Sequence, residues 1–215
     1  MARRALKAYV AGERDFIHEH PLSRAWWRRH PRIPEAIWCG GFPFRATTSA
    51  HGKVTLEVEG DLLERLRLGT YVGSCLGLGG SQAYSAAAVA LDVNKQVVYA
   101  RTAARRVIAR QVLAISEDEH LVCFTVYPEG VDGEVLRLFR GYDEAMALRL
   151  GIRIHRPMPE STDPHIDLVL ATDWWYDYPW DPREAATGDS RPRSGRRSSS
   201  NAVGSRGRGG PSAAG

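Results

Sequence analysis

Three runs of β-branched and aromatic residues, Gln96 to Thr102, Val107 to Ile115 and Leu121 to Tyr127, follow one another through connections of a few residues. Extended segments joined so tightly are the signature of an antiparallel meander. The third run constrains the fold further. Leu121 and Cys123 lie on one alternating face and Val122, Phe124 and Val126 on the other, so both faces are apolar. Such a strand belongs inside a sheet covered on both sides, and the rest of the chain must supply the covers.

One cover is legible downstream. Val135, Leu138, Phe139, Tyr142, Ala145 and Met146 form a helical stripe from Gly133 onward, and Gly151 sits where a left-handed terminating residue is expected. Upstream, Ser81 is placed to cap a helix over Gln82 to Leu91. Val54, Leu56 and Val58 alternate with polar residues as a half-buried strand, Asp61 to Leu68 reads as a short helix, and a last strand is expected at Ile166 to Ala171. At the N-terminal side, Leu6, Tyr9, Val10, Phe16 and Ile17 predict an amphipathic helix over residues 3–19, stopped by Pro21. A second short helix is expected from Ser23, as its N-cap, to His30. Pro31 and Pro34 break it, and Cys39-Gly-Gly-Phe-Pro-Phe reads as loop. The sum is an α+β fold: an antiparallel β-meander over about residues 96–127, packed by helices.

Residues 1–183 are expected to form a single globular domain, with an N-terminal helical segment over 1–45 and a core over 46–183. Residues 184–215 lose apolar character to Arg, Ser and Gly, as a disordered tail does. That tail holds six arginines against Glu184 and Asp189, and its surplus equals the formal net charge of the whole chain, +4. The domain is therefore neutral, with a basic N-terminal segment set against an acidic middle, which favours internal pairing over a uniformly basic nucleic-acid surface. Cys39, Cys75 and Cys123 are odd in number, widely spaced and without a C-x-x-C pair, so reduced thiols are expected. No signal peptide or spanning run is evident, and a cytoplasmic location follows as the expectation.

The most unusual segment is Gly69-Thr-Tyr-Val-Gly-Ser-Cys-Leu-Gly-Leu-Gly-Gly. Cys75 in this loop, ahead of a helix, is a candidate nucleophile, with His120 at the head of a strand as its base. Gly73-Ser74-Cys75 echoes the nucleophile segment of papain-like proteases, although Leu76 stands where that family has an aromatic residue. Alternatively, Gly73 and Ser74 could present backbone N–H groups to an anion, but neither the P-loop nor the dinucleotide-binding pattern is present. Arg101 and Arg110 interrupt apolar strands, Lys95 sits at the mouth of the first, and all three need anionic partners if they point inward. A ligand could meet that need, or Asp92, Asp143 or Glu144 could. His18 and His20 diverge by about 200° on a helix and cannot share an ion from one face, so no metal site is expected, nor any cofactor. Asp173 to Asp181 reads as a strap whose tryptophans plug the domain surface. For nucleic acid, Arg24-Ala-Trp-Trp-Arg-Arg-His offers stacking and cationic groups, and the tail offers Arg191, Arg193, Arg196, Arg197, Arg206 and Arg208 for a loose contact.

Leu68-Gly-Thr-Tyr-Val-Gly-Ser-Cys-Leu, Asp92-Val-Asn-Lys-Gln-Val-Val-Tyr-Ala-Arg, Val107-Ile-Ala-Arg and Leu121-Val-Cys-Phe-Thr-Val-Tyr-Pro together resemble an uncharacterised bacterial domain family over roughly residues 20–155. The chain is also faintly similar to the domain of conjugation-associated PcfJ-like proteins, where a His-Cys-Val-Gly element precedes a sheet; Ser74 and Leu76 stand in place of that histidine and valine. The resemblance implies one folded unit and directs notice to Cys75, without implying a reaction. The expectation is a binding or interaction module with a small anionic-ligand or peptide site near residues 69–80. A Cys75-dependent hydrolase or transferase and a nucleic-acid accessory protein are the alternatives.

Overall fold

A computed structural model of the chain describes residues 1–155, 164–176 and 196–198. Four helices open the fold: α1 (Ala2–Val10), α2 (Phe16–Glu19), α3 (Pro21–Arg29) and α4 (Glu35–Gly40). The single helix expected over 3–19 is two, because the chain turns at Gly12, whose φ of +87° a helix cannot accept. Helix α3 begins at Pro21, whose fixed φ suits the first helical position, and the His20 side chain caps it by accepting from Leu22 N–H. Ser23, the expected cap, is buried instead. Cys39 and Gly40 belong to α4 rather than to a loop. That helix is pinned by the Trp38 indole N–H, which donates to the Val93 carbonyl at 2.7 Å.

Strands β1 (Phe44–Thr48) and β2 (Gly52–Val58) form a hairpin that leads into α5 (Leu62–Leu66) and α6 (Tyr84–Leu91). The meander follows as β3 (Lys95–Thr102), β4 (Val107–Ile115) and β5 (His120–Cys123), each antiparallel to the last. Helix α7 (Gly133–Leu150) ends at Gly151 in the left-handed conformation, and β6 (Arg153–Ile154) then joins β5 in parallel. The sheet runs β1-β2-β3-β4-β5-β6 and is mixed rather than purely antiparallel, because α7 crosses over before its last strand pairs. The fold is α+β. Among the described residues no helix is long and apolar enough to cross a membrane.

Strand alternation sorts the sheet into two buried faces. Val54, Leu56, Val98, Ala100, Ala109, Leu113, Leu121 and Cys123 share one core with Val135, Phe139, Tyr142 and Met146 of α7. Val97, Tyr99, Val112, Ala114, Val122 and Phe124 face the other way, into a core with Leu68, Leu76, Val89 of α6, Ile166 and Trp174. The glycine-rich loop lies over this second face and closes on itself. A Cβ on Gly69 would stand 2.1 Å from the Gly77 nitrogen, so only glycine lets the two backbones touch. Helix α6 starts at Tyr84 with no side-chain cap, after successive tight turns rather than after Ser81.

Residues 166–171 are not a strand. Their backbone groups are taken by buried side chains before any ladder can claim them: Leu170 and Ala171 N–H donate to Asp92 Oδ1 at 2.7 and 2.8 Å, and the Asp167 carbonyl accepts from Asn94 Nδ2 and Lys95 Nζ. Strand β7 (Trp174–Tyr176) follows and pairs with β8 (Arg196–Ser198). Trp174 does plug the surface, stacking edge-on against Phe124, while residues 177–181 lie outside the described residues. So does the expected disordered tail, apart from β8.

Candidate functional site

The sheet cations are the first group to place, since Lys95, Arg101 and Arg110 all project from the second face. Lys95 is fully buried. Its ammonium bonds Asp92 Oδ2 at 2.8 Å, Asn94 Oδ1 at 3.2 Å and the Asp167 carbonyl at 2.8 Å, and lies 4.5 Å from the Trp174 ring. Arg101 reaches across to Glu57 at 3.2 Å and Glu59 at 2.5 Å, and Arg105 shares Glu57. Both cations are neutralised from within the fold, by partners that include the Asp92 weighed above. Asp143 serves neither: it sits on the opposite face, held by Gln111 Nε2 at 3.1 Å. Arg110 is buried over the Tyr127 ring, with Nη2 3.1 Å from Ser74 Oγ. Besides the Lys95–Asp92 pair, the structure brings together Ser74 and Arg110.

Much of the loop's backbone hydrogen bonding is internal, including the Ser74 N–H. Ser74 N–H donates to Gly69 O, Gly77 N–H to Ser74 O, Gly80 N–H to Gly77 O, Gln82 N–H to Cys75 O and Leu78 N–H to Thr70 Oγ1. Cys75 packs partly buried at the edge of the second core. His120 stands at the far end of the sheet. Arg110, beside Ser74, is five residues before Ile115, which pairs with Leu121, and that length of strand is about 17 Å. The His120 ring is engaged by Asp118 at 2.7 Å. It is not a base for Cys75, since nucleophile and base must approach hydrogen-bond distance.

The charge complementarity expected for the N-terminal segment is met by specific pairs. Arg29 binds Asp167 at 3.1 Å, and His30 and Arg32 both engage Glu119. These pairs draw the helical segment against the sheet and leave a cleft of about 350 Å³ between α1, α2 and α5. Its volume falls in the range of small-molecule sites, roughly 300–1,000 Å³. The wall includes Tyr9, Arg14, Phe16, His18, Asp61 and Arg65. Asp61 caps α5 by accepting from Leu63 and Glu64 N–H, and also accepts from the Tyr9 hydroxyl. Burial works against its charge, but these donors prevail and hold its carboxyl below the usual range.

Arg65 is the unusual member. Its side chain is buried, and its Nη2 donates to the carbonyls of Val89 and Lys95, the latter at 2.6 Å, while its Nε has no partner. No carboxylate among the described residues comes within ion-pair distance of it. Burial pulls its pKa down to about 10, and it still carries its charge at neutral pH. The Cys39 thiol lies within its field. Burial and Glu35 push that thiol up to about 12, against the opposing pull of Arg65.

Glu35 and Cys39 are four apart on α4, hence on one helical face. His18 on α2 meets them, so that a ring nitrogen of His18, a Glu35 oxygen and Cys39 Sγ lie within 4.8 Å of one another. His20, the histidine two residues on, is not in this cluster; its side chain caps α3. A glutamate and cysteine at i, i+4 was the one available signal, and it was hidden by reading Cys39 as loop. Arg65 stands in Leu62-Leu-Glu-Arg-Leu-Arg-Leu and looks like any solvated helix arginine. Of the tail arginines, Arg196 and Arg197 fall on β8; Arg191, Arg193, Arg206 and Arg208 lie outside the described residues. No family model matches the chain, and no curated protein or solved structure is significantly similar to it.

Proposed function

We propose that the chain is a binding module for a small anionic ligand, seated in the cleft between α1, α2 and α5 rather than beside the glycine-rich loop. The observation that supports this reading is Arg65: a buried guanidinium on the cleft wall with an unpartnered Nε and, among the described residues, no carboxylate within ion-pair distance, Asp92 and Glu59 acting on it only from farther off. A buried charge left unpaired is costly, and arginine cannot escape the cost by losing its proton near neutral pH. A carboxylate or phosphate entering the cleft supplies the missing charge and accepts from the guanidinium. Arg14, whose guanidinium lies 3.8 Å from the Tyr9 ring, adds a second cation at the mouth. The apolar bodies of Phe16, Ile17 and Leu62 supply contact area for the remainder of such a ligand.

The test is thermal unfolding of the full chain titrated with inorganic phosphate, citrate and adenosine monophosphate. At least one probe is expected to raise the melting temperature saturably, with the apparent affinity of Arg65→Met reduced about tenfold or more and that of Arg105→Gln unchanged. Equal stabilisation of the Arg65→Met protein, or no saturable response to any probe, sinks the proposal.

A further inference from the structure

We infer that His18, Glu35 and Cys39 form a binding site for a zinc-class divalent cation at the edge of the cleft. The ligand atoms are already close to the required shape. A tetrahedral zinc with bonds of about 2.0–2.3 Å separates its ligands by about 3.3–3.8 Å. His18 Nδ1 and Glu35 Oε1 are 3.7 Å apart, and one ligand atom from each of the three residues fits within 4.8 Å. His18 and Glu35 are both partly exposed, so small side-chain rotations close the set around an ion. None of the three atoms is committed elsewhere. At 3.7 Å the His18–Glu35 pair is beyond hydrogen-bond distance, and neither Cys39 Sγ nor the Glu35 carboxylate has a hydrogen bond among the described residues.

The chemistry of the set selects the ion. One sulfur, one imidazole nitrogen and one carboxylate oxygen suit zinc or its close neighbours and do not suit calcium or magnesium, which take oxygen shells. Binding converts the Cys39 thiol to thiolate with release of one proton to solvent. Thiolate and carboxylate then balance the two positive charges of the ion. Three protein ligands leave the fourth position open, and one of them, His18, also lines the cleft. A second cluster, Glu117, His165 and Asp167, has no sulfur and is accounted for by its own ion pairs: His165 with Glu117 at 3.0 Å and Asp167 with Arg29 at 3.1 Å.

The experiment uses the full chain, stripped with chelator and titrated with Zn²⁺ against a chromophoric competitor and with Co²⁺ by absorption. The metal alone is the probe, so the outcome does not depend on whether the cleft binds an anion. One equivalent per chain is expected, together with a sulfur-to-cobalt charge-transfer band that Cys39→Ser removes. His18→Ala and Glu35→Gln change side chains at the surface and are expected to leave the fold intact while weakening zinc binding about tenfold or more. Glu117→Gln is expected to change nothing. Failure to retain an equivalent of zinc against the competitor, a cobalt spectrum without the sulfur band, or unchanged affinity in both His18→Ala and Glu35→Gln overturns the site.

Discussion

Lys95 and Arg65 are both buried cations, and they touch: the backbone carbonyl of Lys95 accepts a hydrogen bond from the Arg65 guanidinium. They differ in what surrounds the charge. Lys95 has a carboxylate, an amide oxygen, a backbone carbonyl and an aromatic face. Arg65 has two carbonyls, an unpartnered Nε and a cleft. The sheet cation is a structural device, because satisfying it organises Asp92, Asn94 and the segment around Asp167 to Ala171. The cleft cation organises little, and its residue lines a cleft large enough for a small ligand. The pair separates burial that serves the fold from burial that is left over.

The largest expected effect tests the first half of that contrast. Lys95→Met removes the ammonium but leaves the Asp92 carboxylate fully buried, along with the two N–H donors that it holds at Leu170 and Ala171. Breaking a buried pair on one side costs about 3–5 kcal/mol. Denaturant unfolding is expected to show a loss of that order, with the 164–176 segment becoming sensitive to protease first. A loss under about 1 kcal/mol would mean that the network around Asp92 is not what holds this face together.

A buried anion on the other face provides a third case. Among the described residues Asp143 has no ion-pair partner; Gln111 and the Cys123 thiol hold it, and burial pushes its carboxyl up to about 7. Unlike arginine, it relieves the strain by taking a proton. The folded chain holds that proton up to about pH 7, whereas the unfolded chain releases it near the ordinary aspartate value of 3.8. Between those values the folded state binds more protons, so this group's contribution falls as pH rises and levels off above about 7. Asp143→Asn is expected to match wild type near pH 4 and to exceed it by roughly 4 kcal/mol at pH 8, at about 1.4 kcal/mol per pKa unit. Urea midpoints at the two pH values check this. An equal difference at both would show that Asp143 is charged throughout.

The contrast also explains how much was legible beforehand. The meander, the α7 stripe and its end at Gly151 follow from local periodicity and turn chemistry, which neighbouring residues carry by themselves. Residues 166–171 read as a strand by the same rule, yet Asp92 and Lys95, more than seventy residues upstream, take their backbone groups. The glycine-rich loop attracted notice as a site because its composition is unusual, but Gly69 and Gly77 are there so that two backbones can touch. The cleft was invisible for the converse reason. His18, Glu35, Cys39 and Arg65 come from three helices, and each residue alone has an ordinary explanation. Nothing in the one-dimensional pattern records that Arg65 lacks a counter-ion, because that is a statement about what is missing around it.

The smallest expected effect is the sharpest test of the comparison. Arg65→Met replaces the buried guanidinium with an apolar side chain that keeps much of its length. It forfeits the hydrogen bonds to the Val89 and Lys95 carbonyls, a loss of about 1.5–3 kcal/mol for each bond to a charged group. Against that loss stands the desolvation of a charge with no ion-pair partner, which the substitution removes altogether and which amounts to several kcal/mol. The two terms oppose each other and are of similar size, so the change in stability is expected to lie within about 1 kcal/mol of zero, in contrast to the loss for Lys95→Met. No carboxylate is orphaned when Arg65 goes, because none was paired with it, and this is the physical difference between the two sites. Urea unfolding of both variants under one set of conditions measures it. If Arg65→Met costs as much as Lys95→Met, then Arg65 is a structural cation like the others, and the cleft loses its claim to an anion.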